Sequence, residues 1–203
     1  MLTRWDEWFS PENLVKDKRI LAAPHSKCAE FAADEFLRRG NHCILDLACG
    51  IGRDTYFLQK MGLSVTGVDA SFNGIRAARQ KTQTGIVSPQ FIVADARYLP
   101  YSSEYFDGLY CFGLLHEFTG PDKEDNARLV ISEVRRILSS QGLLILTVLS
   151  GDPEAGLPHV QLFSQQLFVK IMTGWNVLEI TEMDDVGCTN RLDYRLWYGL
   201  FQK

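Results

Sequence analysis

Short apolar runs alternate with stretches of helical period along this 203-residue chain. The runs fall at about 43–48, 64–68, 91–94, 106–111 and 143–149. Runs this continuous suit strands covered on both faces, as in a parallel sheet. Between them apolar residues recur with the spacing of one helix face. Ala29, Ala32, Ala33, Phe36 and Leu37 share such a face and predict a helix over 25–39, stopped by Gly40. Ser10-Pro11 opens a shorter helix, with serine as cap and proline in the first turn. Further helices are predicted at about 53–61, ended by Gly62, and at 72–82 behind Ser71. Two more are predicted at 122–138, capped by Asp122 and ended before Gly142, and at 164–172, capped by Ser164.

Two strand-like runs, about 176–183 and 192–201, close the chain with no helix between them. Their connection, 184–190, fits an antiparallel hairpin better than a crossover. The repeated strand–helix alternation before them implies right-handed units with helices on both faces of one sheet. An α/β fold is therefore expected: a doubly wound sheet, mostly parallel, with one reversed strand near an edge.

Composition narrows the partners. Hydrophobic residues make up 46% and charged residues 23%, ordinary for a soluble globular protein of one domain. A net charge of -4 gives no electrostatic reason to expect nucleic acid. The five cysteines, at 28, 43, 49, 111 and 188, form no CxxC pair and no metal-ligand spacing. No metal is expected, and the thiols read as reduced and buried in a cytoplasmic protein. No run approaches the ~20 residues of a membrane span. The opening residues lack the apolar core of a signal peptide, so no membrane partner is expected.

The first strand-like run leads into the most distinctive segment, Ile44-Leu45-Asp46-Leu47-Ala48-Cys49-Gly50-Ile51-Gly52-Arg53. An acid stands inside an otherwise apolar strand, and two glycines follow it. Gly50 and Gly52 permit a tight turn and a close backbone approach to a ligand. Asp69 ends the next run, at roughly the 20-residue spacing by which an acid meets a nucleotide-type ribose. A nucleoside-containing cofactor is expected.

These residues, together with Val68-Asp69-Ala70-Ser71, Ala94-Asp95-Ala96 and the run from Phe106 to His116, resemble the class I S-adenosylmethionine-dependent methyltransferases. The helix around Glu133 ahead of Gly142-Leu143-Leu144-Ile145 is similar too, so the likeness runs from about 43 to 149 and the closing hairpin extends it. The resemblance implies a Rossmann-like sheet of seven strands in the order 3-2-1-4-5-7-6. It implies S-adenosyl-L-methionine as methyl donor and S-adenosyl-L-homocysteine as product. It further implies that Asp46, Ala48, Gly50, Gly52 and Arg53 surround the methionine part of that cofactor. Asp69 and Ala70 would hold the ribose, Asp95 and Ala96 the adenine, and Phe112 would lie near the reacting sulfur.

The residue chemistry agrees. A dinucleotide loop would place a third small residue three positions after Gly52, where this chain has Thr55. Asp46 suits a cationic amino group and would sit badly beside a pyrophosphate. The backbone N–H groups from Gly50 to Arg53 suit a carboxylate. Plainer roles stay open: Asp46 as a buried hydrogen-bonding acid, Asp69 and Asp95 as cap or turn residues, Phe112 as core, Arg53 as a solvent-facing helix residue. Cys49 reads as a buried filler rather than a nucleophile.

His116 is the candidate catalytic residue. It stands just past the fourth strand, on the carboxyl edge where open α/β sheets bind ligands. An imidazole is suited to proton transfer near neutral pH. His159, after the fifth strand, faces the same edge. Residues 1–40, with Arg4, Trp5, Trp8 and Phe9, are expected to pack as a helical lid on a core of 41–203 and to exclude water. No Pro-Pro-aromatic turn and no Pro-Cys pair follows the fourth strand, and no long insertion builds a substrate domain. This layout resembles the small-molecule branch, with its tellurite-resistance-type and thiopurine-type members. The expected function is methyl transfer to a small-molecule acceptor. A non-catalytic S-adenosylmethionine-binding regulatory module and an NAD-dependent oxidoreductase remain as alternatives.

Overall fold

The five apolar runs become five parallel strands in the computed structural model, which describes residues 4–81, 88–155, 159–184 and 195–203. They are β1 (Cys43–Leu47), β2 (Ser64–Asp69), β3 (Gln90–Val93), β4 (Phe106–Phe112) and β5 (Leu138–Leu149). The closing pair, β6 (Asn176–Met183) and β7 (Leu196–Gln202), completes a seven-stranded sheet in the order β3-β2-β1-β4-β5-β7-β6. β7 runs antiparallel to both β5 and β6 and is the one reversed strand. The helices are α1 (Arg4–Trp8), α2 (Pro11–Lys16), α3 (Lys18–Ala22), α4 (Lys27–Arg39), α5 (Arg53–Lys60), α6 (Phe72–Gln80), α7 (Lys123–Ile137) and α8 (Gln165–Ile171).

Successive strand residues face opposite sides, so each central strand feeds two cores. Leu45, Leu47, Leu109, Leu144 and Leu146 pack under Val130, Val134 and Ile137 of α7 and Phe168 of α8. Ile44, Tyr110 and Ile145 pack on the other side, under α4 and Leu58 of α5. The α4 stripe is Cys28, Ala29, Ala32, Ala33 and Phe36, all fully buried. Its small members bring the helix close to the sheet, and burial of Phe36 alone contributes about 1.5–3 kcal/mol. By the same alternation Asp46 shares the face of Ile44. Its carboxyl is thereby directed into the layer between β1 and the helices rather than to solvent.

The caps follow the sequence signals. Ser10, Ser71 and Ser164 each accept the backbone N–H three residues on. Ser26 does the same for α4, which starts two residues later than its apolar pattern suggested, and Gly40 closes it with φ 75°. Asp122 holds the N-cap position of α7 but makes no side-chain capping bond. The larger departure is at the other end of α7. The helix stops at Ile137, and β5 begins at Leu138 with no loop between. Leu138 is fully buried and pairs with Phe106, after which the register shifts before Gly108 meets Leu143. Gly142 therefore lies inside a strand, not beyond a helix: burial of Leu138 against the β4 core outweighs continuation of the helix.

The hairpin connection at 185–190, the start of the last run at 192–194, the last predicted position of α6, and Gly156, Pro158 and Cys188 lie outside the described residues. The four described cysteines are free thiols. Among the described residues no group of His, Cys, Asp and Glu could hold a metal ion, and no helix is long and apolar enough to cross a membrane.

Candidate active site

A cavity of about 600 Å³ opens at the carboxyl ends of the parallel strands, where the strand order reverses between β1 and β4. That volume suits a ligand of cofactor size. One side is made by Asp69 at the end of β2, Ala70 just beyond it, and Asp95 and Ala96 after β3. The floor is Asp46, Ala48, Gly50 and Arg53. The other side is Phe112 at the end of β4 and His116 beyond it, with Leu149 of β5 and Leu196 of β7. Every predicted site residue except Gly52 lines this one space.

The loop after β1 is tied to β2 from both sides. The N–H groups of Ala48 and Cys49 donate to the Val68 carbonyl at 2.7 and 3.0 Å. The Gly50 N–H donates to Asp69 Oδ2 at 2.8 Å, and the Ser71 N–H to Asp69 Oδ1 at 2.7 Å. Asp69 is thus held rigidly at the cavity wall, with lone pairs left over for ligand hydroxyls. Burial raises its pKa, and the two N–H donors oppose that rise. Ala48 adopts φ 65°, a left-handed conformation that costs a non-glycine residue about 1–2 kcal/mol. Such strain is commonly stored where a chain must present its backbone to a ligand. Gly52 has a different task. Its φ is 74°, and a Cβ there would stand 2.8 Å from the Phe91 ring. It serves the packing of the turn on α6 and β3 rather than the cavity surface.

Asp46 is buried and accepts a hydrogen bond from the Thr55 hydroxyl. The residue that departs from the dinucleotide pattern is therefore the one that holds the strand's acid in place. Burial, and then the nearby Asp54, push the Asp46 pKa up to about 8. Asp54 also lines the cavity. It accepts from the Ser26 N–H, the Ser26 hydroxyl and the Tyr110 hydroxyl, each at 2.8 Å, which joins α4, α5 and β4 beneath the site. Sequence reasoning missed Asp54, because its partners stand 28 and 56 positions away. Of the charges acting on Asp46, Asp54 and Asp69 raise its pKa and Arg53 is the smallest, opposing influence. An ammonium group would add positive charge there, and this is the feature of the cavity that fits the amino-acid end of S-adenosylmethionine.

Asp95 is fastened differently. Its carboxylate accepts the Arg97 guanidinium and backbone N–H, at 2.6 and 2.9 Å among other contacts, and Arg97 in turn donates to Asn126. The Arg97 side chain holds its pKa below the usual carboxylate range. Arg53 turns its guanidinium to the Pro24 carbonyl at 2.9 Å, so it braces the segment ahead of α4.

His116 sits in a 3-10 turn, Leu115–Glu117, and is 8% exposed. Its Nε2 lies 3.5 Å from Glu117 Oε1, and its Nδ1 has no hydrogen-bond partner among the described residues. Burial, with the charge of Arg4 second, lowers its pKa to about 3. Arg4 comes from α1 and pairs with Glu117, and it also donates to the His159 carbonyl at 3.1 Å. His159 thus enters through its backbone. α1 is also fixed at its middle residue, Asp6, which accepts from the Ser71 hydroxyl at 2.9 Å and the Asn73 N–H at 3.2 Å. Arg4, Trp5, Phe9 and Ile20 line the cavity; Trp8 does not and is half exposed. Among the described residues 4–40, α4 belongs to the helical layer on the sheet, and the residues that reach the cavity lie ahead of it. The Glu117 contact was not foreseen; no local pattern marks a partner 113 positions away.

Comparison with known proteins agrees with this geometry. Residues 45–146 match the methyltransferase domain family. Methyltransferase GfsG of Streptomyces halstedii is 30% identical over 109 residues, covering 52% of this chain and 37% of that protein. Glycine N-methyltransferase of Rattus norvegicus is 29% identical over 119 residues, covering 54% of this chain and 41% of that one. The chain thus spans less than half the length of these two relatives. Among solved structures, magnesium protoporphyrin IX methyltransferase from Synechocystis, with S-adenosylhomocysteine bound, superposes with a TM-score of 0.73 at 17% identity, covering 98% of this chain and 97% of that one.

Proposed function

Since this chain belongs to the methyltransferase domain family, within the class I S-adenosylmethionine-dependent enzymes, we propose that it transfers a methyl group to a small-molecule acceptor. The observation that carries this reading is the single cavity that joins the acid-lined end, with Asp46, Asp69 and Asp95, to an apolar end containing His116. S-adenosylmethionine, when bound, supplies a methyl group already activated on a sulfonium. Asp46 would pair with its ammonium, and the N–H groups around Gly50 with its carboxylate. Asp69 would accept the ribose hydroxyls, and Asp95 with Ala96 would border the adenine. Phe112 would flank the join between the two ends. A displacement at carbon needs alignment above all, and orientation alone supplies roughly 7–11 kcal/mol of barrier lowering.

The acceptor takes the space beyond Phe112, with His116 as the group that contacts it. α1 acts as a lid, anchored by Asp6 and latched by Arg4 on Glu117, and it keeps water from the reacting atoms. The breadth of the relatives supports a small acceptor: two of them are named for glycine and for a porphyrin. Calorimetry with S-adenosylmethionine, S-adenosylhomocysteine and NAD tests the donor. The first two should bind in the micromolar range or tighter, and binding of NAD alone would sink the reading. Transfer of labelled methyl to a panel of thiols, amines, phenols and metalloids tests turnover; failure on every member would favour a binding module.

A further inference from the structure

We propose that Phe9 is a donor-contacting residue: its ring, seated on the glycine turn, covers the amino-acid end of bound S-adenosylmethionine, so that donor and product exchange only when α1 undocks. This rests on the methyl-donor reading above and names a gate on that same site.

Two glycines build the seat. Phe9 stands just past α1 and lines the cavity. A Cβ on Gly50 would stand 3.1 Å from Phe9 Cζ, and one on Gly74 would stand 3.0 Å from Phe9 Cδ2. The ring therefore lies across both, in space that a larger residue at either position would take. Gly74 belongs to the first turn of α6, and glycine is a poorer helix former than alanine. Packing gives the reason for it: the Phe9 ring, and the Gly50 carbonyl oxygen 3.2 Å from the same Cβ position. Trp5 stacks on Phe9, with ring centroids 5.8 Å apart and planes at 27°, and it too lines the cavity.

Gly50 ties this seat to the donor. Its N–H is held by Asp69 at 2.8 Å, and the backbone around it is the proposed place of the donor's carboxylate. A ligand laid on that turn lies against the Phe9 ring. Asp46, on the same cavity floor, would hold the ammonium. An apolar ring over this end excludes water, and opposite charges attract more strongly where water is excluded.

A buried contact holds α1 in this place. Asp6 is 5% exposed and accepts from the hydroxyl of the fully buried Ser71 and from the Asn73 N–H, while the Asn73 side-chain amide donates to the Asp6 carbonyl at 2.8 Å. Ser71 also gives its own N–H to Asp69. One residue thus joins the anchor of α1 to the acid proposed for the ribose. The contact on the opposite side, Arg4 with Glu117, has Arg4 half exposed, and exposed pairs hold little. The Asp6 anchor therefore sets how often α1 lifts. Opening precedes both entry and exit of the ligand. Weakening the anchor alone raises the open fraction of the free and the loaded protein by the same factor, so both rates rise and the affinity stays. Loss of the Phe9 ring also removes a contact to the donor, so exit gains more than entry.

The test is stopped-flow mixing with S-adenosylhomocysteine, read by tryptophan emission, since Trp5 lines the cavity. Asp6→Ala should raise the association and dissociation rates together by about tenfold, the scale of one hydrogen bond to a charged group, with Kd held within about twofold. Phe9→Ala should raise dissociation about tenfold more than association, so that Kd weakens about tenfold. Asp6→Asn keeps an oxygen for the Ser71 hydroxyl; it should show the Asp6→Ala pattern at a smaller factor, and it carries the test if the alanine variant does not fold. The proposal is overturned if the Asp6 variants leave both rates unchanged or speed dissociation alone, or if Phe9→Ala leaves Kd unchanged. Failure of the unmodified protein to bind S-adenosylhomocysteine at all is a separate result: it removes the methyl-donor reading, and this inference with it.

Discussion

Replacing Asp46 with asparagine isolates the buried acid that we propose meets the ammonium of the methyl donor. The native carboxyl titrates at about 8, raised by burial and then by Asp54. An aspartate in the unfolded chain titrates near 3.9. Between these limits the ligand-free folded protein holds a proton that the unfolded chain has lost. The stabilisation is therefore fully present below about pH 4 and is lost as pH rises through about 8. At about 1.36 kcal/mol per unit, the window accumulates roughly 5–6 kcal/mol, and Asp46→Asn should remove that slope from the stability profile. A bound ammonium reverses the preference, because it favours the ionised acid. One unit below its pKa, Asp46 is about nine-tenths protonated, so binding of S-adenosylhomocysteine at pH 7 should release about 0.9 proton from this site. Affinity of the unmodified protein should tighten about tenfold per unit up to about pH 8 and then level off. The free ligand's amine is the same in both experiments, so the difference between the proteins reports the carboxyl together with its coupling to the bound ammonium. Calorimetry in buffers of different ionisation enthalpy counts the protons directly. Near pH 9 the asparagine variant should bind about 1.5–3 kcal/mol more weakly, the worth of a hydrogen bond to a charged group. Equal proton release from both proteins, or an affinity in the unmodified protein that ignores pH, would refute this placement of the ammonium.

Asp69→Asn should weaken S-adenosylhomocysteine binding by about 1–3 kcal/mol, because the charge proposed to meet the ribose would be lost; unchanged affinity in a variant with a normal melting profile would remove Asp69 from the site. Gly52→Ala and Gly40→Ala separate conformation from packing, since φ is 74° and 75° but only Gly52 has a neighbour in the way, the Phe91 ring at 2.8 Å. Denaturant unfolding should show a loss of about 1–2 kcal/mol at Gly40 and about 1–3 kcal/mol more at Gly52, and equal losses would contradict the packing argument. His116, with its pKa at about 3, gives a slope opposite to that of Asp46. Its contribution is intact above about pH 6.5 and is lost as pH falls toward 3, at about 1.36 kcal/mol per unit, because the unfolded chain takes up the proton first. His116→Phe should flatten that limb in a pH series of urea unfolding curves, and an unchanged limb would show that the imidazole is not buried in solution.

Much of the fold was legible because its signals are local. Continuous apolar runs marked the central strands, serine caps marked helix starts, and the lack of a helix between the last two runs marked the reversed strand. The exception at the end of α7 has the same logic in reverse. The pattern runs the helix to Leu138, and the pairing of Leu138 with Phe106 decides for strand. Gly52 shows the complementary limit. Its need for a left-handed turn was visible in the glycine spacing, but that its Cβ would meet Phe91 rather than a ligand was not.

For the site, the sequence by itself determined which side chains of the donor end reach the carboxyl edge: Asp46, Asp69, Asp95 and the glycine turn, because strand alternation and strand ends follow from the chain's own period. Tertiary structure alone decided their electrical state and their company. Asp46 rises to about 8 because α5 and Asp54 close over it. His116 stays neutral because folding buries it and, second, because the charge of Arg4, from the far end of the chain, lies near it. A period in sequence can place a residue on a face, but burial and charge are sums over neighbours that only folding brings together.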